Sequence, residues 1–156
     1  MPYVIDGNNL LGSWGSLSQR PGDQRHEVVK RVVAFSRARN SKVILVFDGA
    51  SFRPDQQKQA FGNVSLRFPD HGKDADSVIR SIVQSSAQPR DWIVVTSDKA
   101  LYSYLKTLGA SILRAHEWNA QERELQRRSH SDPDEDKPDH ETDVEGWLRR
   151  FGGDQD

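Results

Sequence analysis

The sequence predicts an α/β domain in which a mainly parallel sheet is covered on both faces by helices. Three observations predict it. Apolar runs of strand length at Tyr3–Ile5, Val43–Phe47 and Trp92–Val95 are separated by stretches of helical periodicity. Each run stops on polar turn residues that include an aspartate: Asp6-Gly7, Asp48-Gly49 and Thr96-Ser97-Asp98. The chain has 156 residues, 35% of them hydrophobic, which suits one domain with a buried core.

The elements follow in order. Tyr3-Val4-Ile5 is the first strand, ending in Asp6-Gly7-Asn8-Asn9, where a glycine permits a sharp turn and two amides can hold it. Leu10 to Gly22 contains three glycines and a proline and reads as a loop, with Trp14 as an anchor. Asp23 is placed to cap a helix reaching about Arg39, whose stripe is Val28, Val29, Val32, Val33 and Phe35, with Arg31, Arg37 and Arg39 largely off it. Val43 to Phe47 is a buried strand. Ala50 to Gly62 reads as a polar loop or short helix. Val64, Leu66 and Phe68 alternate with polar residues, as in an edge strand with one wet face. Asp74 can cap a helix to about Ser86 that buries Val78, Ile79, Ile82 and Val83. After the strand at Trp92–Val95, a helix carries Leu101, Tyr104, Leu105 and Leu108, with Gly109 as its stop. Ile112 and Leu113 form a last strand, and His116 to Arg128 a polar helix.

From residue 129 the composition shifts. The run Asp132 to Asp139 has no apolar residue to anchor it, so residues 129–143 are expected to be a solvated acidic linker between a domain at 1–128 and a short segment at 144–156. In that segment Val144, Trp147, Leu148 and Phe151 fall at helical spacing, suited to docking on a protein partner or back on their own domain.

Composition narrows the function classes. No apolar run approaches the ~20 residues of a membrane span. The N-terminus lacks the basic-then-apolar order of a secretory leader, and with no cysteine there is neither a disulfide nor a thiolate metal site. A cytoplasmic protein is expected. The net charge of −1 points to no anionic partner in bulk, so nucleic acid would have to use a local patch.

The aspartates carry the chemistry. Asp6, Asp48 and Asp98 each follow a buried strand, which in a parallel sheet puts them on one edge, and Asp74 and Asp76 open a helix near it. Clustered carboxylates repel one another unless a cation neutralises them, and hard oxygens suit Mg²⁺ or Mn²⁺. Such an ion can activate water against a phosphodiester. Singly, each aspartate has a plainer reading. Asp74 can be only an N-cap, Asp98 another, and Ser97 and Thr96 can cap the same helix. The five histidines form no spaced set and read as surface groups, while Trp14, Trp92 and Trp118 read as packing residues.

Ile5-Asp6-Gly7-Asn8-Asn9-Leu10-Leu11, Val46-Phe47-Asp48, Ala75-Asp76 and Val95-Thr96-Ser97-Asp98 together resemble the NYN domain, in the YacP-like branch of the PIN-like nuclease superfamily, over roughly Pro2 to Glu124. The resemblance implies a PIN-like three-layer α/β/α sandwich and a divalent-metal-dependent endoribonuclease. It places Asp6, Asp48, Asp76 and Asp98 at the acidic catalytic and metal positions, with Asn9 beside them and Asp74 and Ser97 in support. Asn8 stands where relatives carry an aromatic residue, and Ser77 where many carry a glutamate. RNA would need cations around the carboxylates, and Arg53, Lys58, Arg67, Lys73, Arg80 and Lys99 lie near the proposed edge. Two rivals remain: a degenerate RNA-binding or ribosome-associated module, and a phosphatase using Asp6 as nucleophile, which would want an acid where Asn8 stands.

Overall fold

The computed structural model describes residues 2–14, 21–48, 58–70 and 72–130. The chain runs β1 (Tyr3–Asp6), α1 (Gly7–Gly12), α2 (Pro21–Arg39), β2 (Val43–Val46), β3 (Lys58–Phe61), β4 (Val64–Arg67), α3 (Ala75–Gln84), a 3₁₀ turn at Pro89–Asp91, β5 (Ile93–Val95), α4 (Lys99–Thr107), β6 (Ser111–Leu113) and α5 (Ala115–His130). The six strands form one sheet in the order β3-β4-β2-β1-β5-β6. All neighbours are parallel except β3, which returns antiparallel along β4.

Strand alternation sends β1 to both faces. Tyr3 and Ile5 join the α2 stripe, Leu45, Leu66 and Trp118 in one core. Val4 joins Val46, Val94, Ile79, Val83, Leu101 and Leu105 in the other. Each face of the sheet is therefore closed by helices, which accounts for strands that read as unbroken apolar runs. The α/β/α expectation holds.

Four expectations are corrected. The stretch read as a loop from Leu10 begins inside a helix, because Asp6 ends β1 with extended geometry and accepts the Asn9 N–H, capping α1 at once. Gly7 is the first residue of that helix, and its need is close approach: a Cβ there would stand 2.6 Å from the Phe47 ring. Helix α2 begins at Pro21, a residue pre-set for a first turn, so Asp23 lies inside the helix and is not its N-cap. The polar segment 50–62 ends in β3, which takes the sheet edge and leaves β4 between β2 and β3. Sequence periodicity could not supply that neighbour, since a polar edge strand has little apolar signal.

The last helix is polar in composition but not in placement. Trp118 is fully buried, and Glu122, 2% exposed, is held by the Arg31 guanidinium from α2. Arg31 also lies over the Trp14 ring at 4.1 Å, and the Trp14 indole donates to Asn119. His26, expected at the surface, is buried at 7% exposure on α2. Helix α5 extends to His130, two residues into the expected linker. The rest of that linker and the Val144–Phe151 segment lie outside the described residues.

Candidate active site

The chain leaves β1 toward β2 and β4 on one side, then crosses to β5 and β6 on the other. That reversal is a topological switch point, and in open α/β sheets the crevice beyond the strands' carboxyl ends at such a point is where ligands sit. Ile5 is in register with Leu45 and Val95, so the carboxyl ends of the three strands lie at one level. Asp6 is the last residue of β1, and Phe47-Asp48 and Thr96-Ser97-Asp98 follow β2 and β5.

Asp6 is buried, with 9% exposure. One carboxylate oxygen accepts the Asn9 N–H at 3.3 Å and the other the Thr96 hydroxyl at 3.4 Å. Burial pushes its acid dissociation up from an ordinary 3.8 to about 6, and the negative charges of Asp48 and Asp98 add to that push against the two hydrogen bonds. The three strand-end aspartates thus share one electrostatic neighbourhood. Asp48 is exposed and accepts the Ala75 N–H at 2.7 Å, which fixes the end of β2 to the start of α3. Asp98 caps α4 by accepting the Leu101 N–H at 2.9 Å.

Both asparagines act as straps. Asn8 accepts the Asp48 backbone N–H at 2.6 Å, and Asn9 accepts the Ser97 N–H at 2.8 Å. Helix α1 therefore holds the ends of β2 and β5 through two side-chain carbonyls. Ser97 in turn accepts the Ala115 N–H, joining the β5 end to α5, and Thr96 accepts the Asp98 N–H.

The helix that opens near Asp48 behaves differently. Asp74 is the N-cap of α3, accepting both the N–H and the hydroxyl of Ser77 at 2.9 Å, and these bonds hold its carboxyl below the ordinary range. Asp76 faces Arg80 one turn on, with the guanidinium Nε 3.1 and 3.2 Å from its two oxygens. Arg80 lies over the Tyr104 ring at 4.5 Å. Asp76 is thus brought against a cation of its own.

Of the expected RNA contacts, Arg67 is the half-buried last residue of β4 beside Val46, and Lys73 and Lys99 are exposed at the starts of α3 and α4. Arg80 is committed to Asp76. Lys58 opens β3, with its side chain outside the description, and Arg53 lies outside the described residues. One residue the sequence did not single out is Arg25. Its guanidinium rests over Phe47 and Phe68 at 5.6 and 5.7 Å and donates to the Asp48 carbonyl at 2.9 Å. It is one of several arginines on α2, and its only sequence signal is the aromatic residue that directly follows each of two neighbouring strands.

The donor chemistry fits a hard divalent cation. Asp6, Asp48 and Asp98 supply oxygens only, and Asp6 is destabilised as an anion until something neutralises it. Among the described residues no three acidic or histidine side chains stand close enough to grip one ion. That is compatible with Mg²⁺, which keeps several waters and usually takes one or two carboxylates.

A family model described as the YacP-like NYN domain matches residues 3–150. The chain belongs to the YacP-like NYN domain family. The crystal structure of Rae1 (YacP) from Bacillus subtilis is similar to it, with a TM-score of 0.68 at 22% identity over 84% of this chain and 78% of that one. A mutant of the same protein matches at a TM-score of 0.62 and 22% identity, over 81% and 77%. At that identity the likeness is one of fold. No curated protein matches the sequence. The YacP-like NYN domain is a PIN-like nuclease domain, which supports a nuclease or RNA-related role. Among the described residues of this YacP-like chain, no helix is long and apolar enough to cross a membrane.

Proposed function

We propose that the chain is a divalent-metal-dependent endoribonuclease acting at the carboxyl edge of β1, β2 and β5. The observation that carries this reading is the buried Asp6 carboxylate, raised to about 6 with the charges of Asp48 and Asp98 acting on it. A neighbourhood of that kind favours an incoming cation over a bare anionic substrate. Asp6, Asp48 and Asp98 would surround a hydrated Mg²⁺ or Mn²⁺, one or two of them binding it directly and the rest through its waters, with Asp76 available only if Arg80 is drawn away. The bound ion supplies an activated water and stabilises charge on the phosphodiester oxygens. The chain's own part is positional. Asn8 and Asn9 keep the ends of β2 and β5 at a set distance from α1, and Thr96 orients the second oxygen of Asp6. Lys73, Arg67 and Lys99 would meet the RNA backbone around the acids.

The test is cleavage of mixed-sequence RNAs with and without Mg²⁺ or Mn²⁺. Hydrolysis that needs the ion and is lost in Asp6→Asn supports the reading, and equal cleavage by Asp6→Asn refutes it. The Asp76–Arg80 pair favours a second reading, a module that binds RNA without cutting it. In calorimetry, saturable Mg²⁺ binding that disappears in Asp48→Ala counts against that alternative.

A further inference from the structure

Helix α4 starts at the acidic edge, capped by Asp98, and carries no acidic residue from Lys99 to Thr107. Lys99, Tyr102 and Lys106 recur three and four residues apart, so they share one face running ~10 Å from the edge at 1.5 Å per residue. Tyr102 is half-buried and gathers two cations. The Lys106 ammonium stands 5.3 Å from its ring centre and 3.5 Å from its hydroxyl, and the Arg114 guanidinium stands 5.4 Å from the ring. Arg114 follows directly on β6, whose Leu113 carbonyl accepts the Thr96 N–H at 2.9 Å. The cluster is therefore continuous with the Thr96-Ser97-Asp98 turn.

The Glu117 carboxylate accepts the Arg114 backbone N–H at 2.9 Å and makes no ion pair with the guanidinium. Arg31, Arg80, Arg127 and Arg128 each face a carboxylate, whereas Lys99, Lys106 and Arg114 have no ion pair among the described residues. Gathering like charges on one ring is unfavourable until an anion bridges them, and a phosphate that draws them off the ring would uncover a stacking plane that bases in a duplex cannot reach.

We propose that Tyr102, Lys106 and Arg114, with Lys99, form a binding track for single-stranded RNA leading away from the acidic edge. The ammonium and guanidinium groups turn outward to take phosphates, and the Tyr102 ring they uncover stacks an unpaired base. The track rests on the reading of the acidic edge as an RNA-processing site, but it can be measured without cleavage.

The experiment is fluorescence anisotropy of a labelled single-stranded RNA and its duplex with the full chain in chelator. Tyr102→Ala should weaken single-strand binding ~10-fold, in the range of one lost base stack, while leaving the duplex unchanged. Tyr102→Phe should keep the affinity. Lys106→Ala and Arg114→Ala should each reduce the salt slope by ~0.7. Unchanged single-strand binding in Tyr102→Ala overturns the proposal. So does an equal loss for duplex and single strand, or polyglutamate competing as well as RNA does. Cleavage in Mg²⁺ by wild type and Tyr102→Ala alike, with equal binding, sinks the track alone. No cleavage by either, with binding still lost in Tyr102→Ala, sinks the hydrolytic reading and leaves the track.

Discussion

Replacing Asp6 by asparagine should make the metal-free protein more stable at alkaline pH. The carboxyl is raised from 3.8 to about 6 chiefly by burial, so the folded protein binds this proton more tightly than the unfolded chain does. Unfolding free energy contributed by Asp6 is then full below pH 3.8 and falls as pH rises through about 6, by ~3 kcal/mol in all. Asparagine has no charge to bury. Its carbonyl can still accept the Asn9 N–H, and its amide can donate to the Thr96 hydroxyl oxygen, so most of the difference should survive as a gain of ~1–3 kcal/mol at pH 8. The assay is urea unfolding of both proteins in chelator from pH 4 to pH 8. The two stabilities should converge at the acid end and separate as pH rises. Saturating Mg²⁺ at ~100 times its dissociation constant should then return ~2.7 kcal/mol to wild type and little to the variant. Parallel pH curves, or a variant less stable than wild type at pH 8, would refute the argument that Asp6 is held as a strained anion.

Gly7→Ala would drive a methyl to 2.6 Å from the Phe47 ring and should cost ~1–3 kcal/mol, read as a lower thermal midpoint. Asn8→Ala removes the acceptor of the Asp48 N–H, costing ~1–3 kcal/mol if that group is left dry, and should reduce cleavage through the displaced Asp48. Arg31→Ala leaves Glu122 buried without its cation and should cost ~3–5 kcal/mol by denaturant unfolding, with the loss smaller in the double variant with Glu122→Gln. Asp74→Asn keeps an N-cap acceptor for Ser77, so stability by thermal melt and RNA cleavage should both stay near wild type, unless Asp74 is a metal ligand.

Most of the fold was legible because buried parallel strands announce themselves. Val43–Val46 and Ile93–Val95 are too apolar to be anything but interior, and the stripe at Val28, Val29, Val32 and Val33 has only one helix face to occupy. Strand β3 was not legible, since its stability comes from pairing with β4 and not from its own burial. Helix α1 was hidden because a cap aspartate and a turn aspartate look alike in a sequence.

By itself, the sequence determined that aspartates would follow the central strands and that the sheet would be mainly parallel. Those two facts together put Asp6, Asp48 and Asp98 on one edge, because strand direction dictates which end a residue leaves from. Only the tertiary structure separated the aspartates by their surroundings. Asp6 is raised by burial, Asp74 is spent on the Ser77 N–H and hydroxyl, and Asp76 is matched by Arg80. It also showed that Asn8 and Asn9 strap two strand ends that lie 40 and 88 residues further along the chain. Side-chain partners so distant in sequence follow from strand order and register, and neither leaves a periodic mark in the chain.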